Sequence, residues 1–269
     1  MTINVGIMCF SPTNTTRKIC NAIALGMGSE DPIVLDMTLP DTRANIISNS
    51  NTATKDMDHL IVGTPVYAGK LPRQTIDYLR AFGLTGQKCT AIVVYGNRDY
   101  GVALYNMVEI LSQNGFTVVA AGAFIGQHSY SDIVPVAVGR PDKSDIDKAR
   151  KFGTKILSAS KPLSLKDVPV QLDKVSKSDK YPSLKPFHHE KHCVQCGKCA
   201  KACPLGLLLS ETGGYINHAA KKQCIGCMAC VRSCKQKAMV AKTNPIVKMV
   251  MNRILRQASK ERKEPFIII

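Results

Sequence analysis

Eight of the 11 cysteines lie in two short runs near the end of the chain. The first run has the spacing Cys-x2-Cys-x2-Cys-x3-Cys from Cys193 to Cys203, and the second repeats it from Cys224 to Cys234. Three thiolates separated by two residues each can wrap around one corner of an iron-sulfur cube, whereas the cysteine after three further residues points toward a second cube. The spacing therefore predicts two 4Fe-4S clusters.

Each predicted cluster is completed by a cysteine from the opposite run. The first cluster is assigned to Cys193, Cys196, Cys199 and Cys234, and the second to Cys224, Cys227, Cys230 and Cys203. A structural zinc module is the alternative, because zinc also binds Cys-x2-Cys pairs. Zinc needs only four ligands, however, so the third and fourth cysteines of each run would be surplus, and the pattern favours the clusters.

The charge balance points to the kind of partner. The sequence has 36 Lys and Arg against 20 Asp and Glu, a formal net charge of +16. Such a surface attracts acidic proteins, nucleic acids or anionic membranes. Because clusters imply electron transfer and no nucleic-acid-binding motif is found, we expect an acidic redox protein. The chain starts without a secretory leader and has no apolar run of about 20 residues, so a cytoplasmic protein is expected.

Strand and helix patterns alternate over residues 1–158, which predicts an α/β domain with a doubly wound, parallel, five-stranded sheet. The predicted strands cover residues 3–10, 32–37, 58–64, 88–95 and 116–125. Helices are expected from the first turn to about residue 27 and at about 72–82, 101–113 and 142–158. The segment 41–57 is polar and poorly periodic, so its helix is expected to be short or absent.

Hydroxyl-rich residues join the first strand to the first helix. They are Ser11, Thr13, Asn14, Thr15 and Thr16. A helix N-terminus offers free N–H groups and a positive dipole end, and Ser and Thr hydroxyls donate further hydrogen bonds, so this turn is suited to phosphate. The same residues are also ordinary helix caps, and the turn alone leaves both interpretations open.

Two later loops lie at the point where ligands bind in doubly wound sheets, beyond the carboxyl ends of the strands. The loop after strand three contains Pro65, Val66, Tyr67, Ala68 and Gly69, and the loop after strand four contains Gly96, Asn97, Arg98, Asp99 and Tyr100. Tyr67 and Tyr100 are suited to hold a flat ring between them, although tyrosine is also common at wet protein edges. His128, after strand five, is a candidate proton donor.

Residues 1–158 resemble the flavodoxin family, whose phosphate loop has the pattern Ser/Thr-x-Thr-Gly-Asn-Thr. The resemblance implies that FMN binds here, with its phosphate on residues 11–16 and its ring between the loops of Tyr67 and Tyr100. Asn14 stands where flavodoxins usually have Gly, and Asn tolerates the positive φ angle that this position requires. With the cysteine runs, the whole chain resembles the flavodoxin-ferredoxin fusion proteins of anaerobic bacteria and archaea.

The rest of the chain divides into three parts. Residues 159–186 are rich in Pro and Lys, as in an extended, solvated linker. Residues 187–242 form the predicted small α+β two-cluster ferredoxin domain, in which His188, His189 and His192 are expected to lie near the cluster or on the surface without binding iron. Residues 243–269 predict a basic amphipathic helix, which packs back on the protein or docks on a membrane surface or partner.

Three functions remain open from the sequence. The first is an electron-transfer flavoprotein, in which FMN and the two clusters relay electrons to or from a redox partner. The second is a reductase whose small substrate stacks on the flavin beside His128. The third is a ferredoxin whose first domain has lost FMN and serves for docking. Access to the ring face separates the first two functions, because a carrier covers its flavin and a reductase exposes it.

Overall fold

The first domain is built on a twisted parallel sheet. The computed structural model describes residues 3–49, 55–82, 86–175 and 184–269. The parallel strands are β1 (Val5–Cys9), β2 (Ile33–Asp36), β3 (His59–Pro65), β4 (Lys88–Tyr95) and β5 (Thr117–Ile125). They lie in the order β2-β1-β3-β4-β5. This is the strand order of flavodoxin-like folds, with a switch point between β1 and β3, so the predicted fold class is confirmed.

Helices cover both faces of the sheet. They are α1 (Thr15–Gly26), α2 (Pro40–Ser48), α3 (Arg73–Ala81), α4 (Ala103–Gln113) and α5 (Lys143–Ile156). Alternate side chains of a strand point to opposite faces. Ile7 therefore packs with α1 and α5, whereas Met8 packs with α3 and α4. The short helix expected after β2 is α2, and residues 50–54 of the same segment lie outside the described part of the chain.

Helices α1 and α5 cross at two glycines. A Cβ atom at Gly153 would lie 2.1 Å from the carbonyl oxygen of Ile23, and one at Gly26 would lie 2.0 Å from the carbonyl oxygen of Arg150. Both glycines therefore permit backbone-to-backbone contact, which brings the two helices close together on this face of the sheet.

The cysteine-rich part is a small α+β unit. Strand β6 (Pro186–His188) pairs antiparallel with β7 (Met239–Ala241). Between them lie the short helices α6 (Lys198–Lys201), α7 (His218–Gln223) and α8 (Ala229–Ser233).

The sequence repeat of this unit is also a backbone repeat. Gln195 and Gly226, at matching places in the two cysteine runs, have φ angles of 53° and 66°. Gly197 and Met228, one residue after the second cysteine of each run, have φ angles of 67° and 62°. The two cysteine loops therefore follow the same path.

The two domains pack directly against each other. Ile225, Cys227 and Ala229 belong to the same apolar cluster as Met8 and the helices of that sheet face. Arg232 donates a hydrogen bond of 3.1 Å to the carbonyl oxygen of His128. Apolar burial and hydrogen bonding together fix the second cysteine run on the carboxyl edge of the sheet.

The first part of the predicted linker is packed rather than solvated. The amide of Leu163 donates to the carbonyl oxygen of Val118 at 2.8 Å, and the amide of Gln171 donates to that of Gly101 at 3.3 Å. Val168 is 3% exposed and joins the core of the first domain. The segment was expected to be extended and solvated because its sequence has no helical or strand periodicity. Single apolar residues such as Val168 nevertheless anchor it to the first domain. Residues 176–183 lie outside the described residues.

The C-terminal segment returns to the first domain. Helix α9 (Pro245–Lys260) is followed by β8 (Phe266–Ile268), which pairs antiparallel with β5 and extends the sheet to six strands. The tail thus packs back on the protein, the first of the two expected alternatives, although its last residues form a strand. None of the helices in the described residues is long and apolar enough to cross a membrane.

Replacing Gly153 by Ala is predicted to destabilise the protein. Gly→Ala inside a helix ordinarily stabilises by roughly 0.5–1 kcal/mol, but here the methyl group meets the backbone of α1, and such overpacking costs about 1–3 kcal/mol. Thermal unfolding of Gly153→Ala should therefore shift to lower temperature. Lys151→Ala, at an exposed position of the same helix, is the control and should leave the midpoint nearly unchanged. A higher midpoint for Gly153→Ala would contradict the close helix contact.

Candidate functional site

The structure brings the eight cysteines together in two cavities. One cavity is lined by Cys193, Cys196, Cys199 and Cys234, and the other by Cys203, Cys224, Cys227 and Cys230. These are the same two sets that the spacing predicts, each with three cysteines from one run and one from the other. No group of three or more His, Cys, Asp or Glu side chains in the described residues is arranged to hold a single metal ion.

Backbone amides already point at several of the sulfur atoms. Three backbone amides each lie 3.4 Å from a cysteine Sγ. The pairs are Gln195 with Cys193, Leu207 with Cys203, and Met239 with Cys234. N–H groups aimed at sulfur stabilise the negative charge of thiolate ligands and of the cluster they bind. The residues around both cavities therefore fit 4Fe-4S clusters.

Burial keeps two thiols of the second run, Cys227 and Cys230, protonated when no iron is bound. It raises the pKa of Cys227 to about 12 and also raises the pKa of Cys230. Cysteine binds iron as the thiolate, so cluster assembly at these positions must release protons.

A third cavity lies beyond the carboxyl ends of β1, β3, β4 and β5, and we call it the cleft. Its volume is about 240 Å³, slightly below the range of roughly 300–1,000 Å³ for ligand pockets. The predicted site residues that line it are Thr13, Thr15, Pro65, Val66, Tyr67, Ala68, Gly69, Gly96, Arg98, Asp99 and His128. Ser11, Asn14, Thr16, Asn97 and Tyr100 were predicted with them but do not line the cleft.

One end of the cleft is the N-terminus of α1. Asn14 has a φ angle of 63°, the left-handed conformation expected at this position. Ser11 Oγ accepts a hydrogen bond from the amide of Arg17 at 3.1 Å, so Ser11 shapes the turn. Thr16 Oγ1 is buried without a hydrogen-bond partner. The Thr15 side chain at the cleft wall and the N-terminus of α1 make the turn suitable for an anion, whereas the buried Thr16 hydroxyl lies outside the cleft lining.

The loop of Tyr67 is a tight turn of fixed shape. Tyr67 and Lys70 exchange backbone hydrogen bonds of 3.0 and 3.1 Å. Between them, Ala68 and Gly69 have φ angles of 55° and 77°. The carbonyl oxygen of Gly69 accepts from the amide of Val102 at 2.9 Å. A strained, non-glycine φ angle at Ala68 is typical of residues held in place at functional sites.

Asn97 and Tyr100 contact the C-terminal segment instead of the cleft. Asn97 is 4% exposed, and its Nδ2 donates to the carbonyl oxygens of Ala258 and Glu261 at 2.5 and 2.7 Å. The ring of Tyr100 stacks on Phe266 with centroids 6.2 Å apart. Both residues therefore hold the end of the chain against the sheet.

Sequence reasoning missed the charged network that fastens this segment. Arg140 and Asp145 form a buried pair, with Arg140 Nη2 2.5 Å from Asp145 Oδ1. Arg262 lies 2.8 Å from Asp142 Oδ2, and its hydrogen bonds hold the pKa of Asp142 well below its usual value. The basic residues at positions 260–263 are the part of this network that is visible in the sequence. Their acidic partners could not be inferred, because they lie more than 100 residues earlier in the chain.

Helix α9 closes one side of the cleft. Met251, Ile254 and Leu255 line the cleft opposite the loops of the first domain. Leu255 is 4% exposed and packs with Val134 and Val136, which follow β5. The cleft is therefore walled by three separate parts of the chain, including a helix that the sequence did not place there.

His128 lies in the cleft wall as a neutral side chain. Its Nδ1 accepts a hydrogen bond from the amide of Tyr130 at 3.1 Å, which leaves the proton on Nε2. Burial is the main cause that lowers the pKa of His128, and together with the positive charges of Arg98 and Arg232 it brings this pKa to about 4. An imidazole with this pKa is uncharged near pH 7, so it is a poor general acid there.

The second cysteine run borders the cleft. Ile225 and Gly226 lie between two cysteines of that run and line the cleft. A Cβ atom at Gly226 would lie 2.9 Å from Tyr130 Oη. Burial raises the pKa of Tyr130, and the negative charge that Cys224 and Cys227 carry when ionised raises it further. We therefore call the cavity of Cys203, Cys224, Cys227 and Cys230 the proximal site, and that of Cys193, Cys196, Cys199 and Cys234 the distal site.

Comparison with known proteins identifies a family for the cysteine-rich part of the chain and finds distant structural likenesses for the first domain. Residues 175–239 match the family model of the 4Fe-4S dicluster domain. A flavodoxin from the domain Archaea is similar at 17% identity and a TM-score of 0.40, covering 57% of this chain and 96% of that chain. An apo NADH:FMN oxidoreductase is similar at 20% identity and a TM-score of 0.42, covering 59% and 91%. No curated protein matches the chain.

The fold of the first domain is assigned from its strand order rather than from these distant likenesses. The chain joins a flavodoxin-like α/β domain to a ferredoxin-type domain for two 4Fe-4S clusters, as the sequence predicted.

Cysteine replacements are predicted to remove the clusters in two groups. Cys227→Ala and Cys203→Ala should abolish the same cluster, although Cys203 belongs to the first run, because both line the proximal site. Cys196→Ala and Cys234→Ala should abolish the other. Electron paramagnetic resonance of the reduced proteins checks this grouping. Cys20→Ala, at a buried cysteine outside both sites, is the control. Loss of the same signal in Cys203→Ala and Cys196→Ala would contradict the exchange of ligands between runs.

Proposed function

We propose that this protein transfers electrons between FMN bound in the cleft and a redox partner that docks near the two 4Fe-4S clusters. The observation that carries the proposal is the shared wall of the cleft and the proximal site: Ile225 lines both cavities, and Gly226 beside it lines the cleft. Bound FMN would supply the exchange of electrons one or two at a time, which clusters alone cannot perform.

The residues of the cleft suit the parts of FMN. The turn before α1 offers the Thr13 and Thr15 side chains and a helix N-terminus to the phosphate. The Tyr67 loop, with Gly69 held by Val102, provides a preformed wall for the ring. Arg98 and Asp99 line the same end of the cleft. The predicted partner of Tyr67 across the ring was Tyr100, and the structure instead offers the apolar side chains of α9 at the cleft.

A covered cleft favours the electron carrier over the reductase. Helix α9 and the second cysteine run form two walls of the cleft, which narrows the access of a small substrate to a bound ring. The one candidate proton donor, His128, is neutral near pH 7 because its pKa is about 4. Proton delivery to a substrate is therefore poorly supported, whereas electron transfer through the neighbouring cluster needs no open face.

The distal site is the proposed docking surface for an acidic redox protein. Cys196 is exposed, and Val194 beside it is 61% exposed. The exposed lysines within three residues of its cysteines are Lys191, Lys198, Lys201, Lys235 and Lys237. Glu190 and Glu211 are the acidic residues of this domain, which has nine Lys and Arg over residues 187–242. A basic rim around an exposed cluster attracts an acidic partner and speeds its encounter.

Loss of the Thr15 hydroxyl is predicted to weaken FMN binding but not riboflavin binding. A hydrogen bond to a charged phosphate contributes about 1.5–3 kcal/mol, so Thr15→Val should raise the Kd for FMN by roughly 10- to 100-fold. Riboflavin lacks the phosphate, and its Kd should stay the same. Fluorescence quenching of each flavin by flavin-free protein measures both constants. Thr42→Val, at an exposed residue of α2, is the control. Failure of the unsubstituted protein to bind FMN would refute the proposed function and favour the docking alternative.

Charge reversal at two lysines of the distal site is predicted to weaken the preference for anionic over cationic small oxidants. The reduced protein should react with anionic ferricyanide at a rate that falls as salt is added, because salt screens the attraction to the basic surface. Its reaction with cationic hexaammineruthenium(III) should become faster with salt, because the repulsion is screened as well. Lys198→Glu combined with Lys235→Glu should weaken both trends. The control is Lys143→Glu combined with Lys151→Glu, which changes the net charge by the same amount but on helix α5 of the first domain. Equal effects of both double variants would show that only net charge matters and would contradict the proposed docking surface.

A further inference from the structure

Each cluster cavity contains one buried polar group that has no partner in the protein. The Nε2 atom of His188 and the Oη atom of Tyr215 are both buried and make no hydrogen bond. His188 lines the distal site and Tyr215 lines the proximal site. A buried donor without a partner costs about 1–3 kcal/mol, so both groups need an explanation.

His188 shares a small space with a cysteine of the distal site. It ends β6, and its strand partner is Met239 on β7. A Cβ atom at Gly213 would lie 3.2 Å from His188 Nε2 and 3.3 Å from Cys199 Sγ. The ring nitrogen and the sulfur therefore face the same point beside the cavity. Gly213 has a φ angle of 69° and leaves this space open.

Tyr215 holds the matching place at the proximal site. It is fixed by an antiparallel bridge to Leu208, which also lines that cavity. Burial raises the pKa of Tyr215, and an interaction of its hydroxyl with the nearby Cys224 sulfur, which does not reach hydrogen-bond geometry, raises it further, as do the charges that Cys224, Cys230 and Cys203 carry when ionised. These three cysteines all belong to the proximal set, so the hydroxyl lies close to the ligands of that cluster and keeps its proton.

The two cavities offer few other polar side chains to a cluster. The proximal wall is otherwise made of cysteine, proline and aliphatic residues together with Met228. The distal wall contains the polar side chains of Gln195, Lys198, Ser210 and Gln236, but these four residues are exposed. Because the described residues of the two walls provide no other buried side-chain acceptor besides cysteine, the acceptors nearest to His188 and Tyr215 would be the sulfur atoms of a bound cluster.

We propose that His188 Nε2–H and Tyr215 Oη–H donate hydrogen bonds to sulfur atoms of the distal and proximal clusters respectively, and that each donor raises the reduction potential of its own cluster. The inference rests on the proposed function only in that both clusters are bound. A donor stabilises the reduced state more than the oxidised state, because the reduced cluster carries more negative charge. Because each cluster has its own donor, the two reduction potentials can be set independently. The difference between these potentials determines the direction in which electrons move between the two clusters.

The test is a redox titration of the protein with both clusters bound, followed by electron paramagnetic resonance. His188→Phe removes the distal donor and should lower the potential of the distal cluster alone. Tyr215→Phe removes only a hydroxyl and should lower the potential of the proximal cluster alone. His188→Gln restores an N–H donor and should recover part of the distal shift. Cys227→Ala, which leaves the distal cluster as the only one, identifies which potential belongs to which site.

Controls separate donor loss from general disturbance. His189→Phe changes the neighbouring ring, which stacks on His192, and Tyr105→Phe removes a hydroxyl from α4; neither should move a potential. Resonance Raman spectra should show altered Fe–S stretching only in the His188 and Tyr215 variants. Unchanged potentials at full iron content, or equal shifts of both clusters in either variant, would overturn the inference. Iron content below two clusters in the unsubstituted protein would instead refute the proposed function.

Discussion

The packing of the second cysteine run against the carboxyl edge of the sheet determines where every site lies. Ile225, Cys227 and Ala229 are part of the apolar layer that also contains β1, β3 and β4. Because protein interiors are close-packed, this contact leaves little freedom to the loop that holds the proximal cluster. The cleft, the proximal site and the distal site therefore follow one another in a fixed order, from the interior of the molecule to an exposed basic surface.

The C-terminal segment completes this arrangement from the opposite direction. Strand β8 pairs with β5, and the buried Arg140–Asp145 pair lies beneath the turn that precedes it. Asn97 uses its whole side-chain amide: Nδ2 donates to two carbonyl groups of the segment, and Oδ1 accepts from the amide of Lys263 and from Arg140. The hydrogen bonds of Asn97 hold the C-terminal end of helix α9, and the packing of Leu255 against Val134 and Val136 holds its apolar face. Helix α9 therefore forms a fixed wall of the cleft rather than a loose tail.

Much of this could be predicted from the sequence, because the informative residues are constrained locally. Cysteine spacing fixes which thiolates can reach one cluster, and the two cavities contain the predicted sets. The positive φ angle of Asn14 follows from its place in the turn. Asn97 and Tyr100 were placed at the flavin ring, by contrast, since nothing near them in sequence reveals that β8 covers them. The packed start of the linker and the donors His188 and Tyr215 likewise depend on contacts between distant segments.

Flash reduction of the bound flavin tests the central claim most directly. If the cleft and the clusters form one relay within the chain, absorbance changes of the iron-sulfur clusters should follow flavin reduction at a rate that does not depend on protein concentration. The same experiment on Cys227→Ala, which lacks the proximal cluster, should show slow transfer or none to the distal cluster. A rate proportional to protein concentration would mean that electrons move only between molecules, and it would contradict the internal relay.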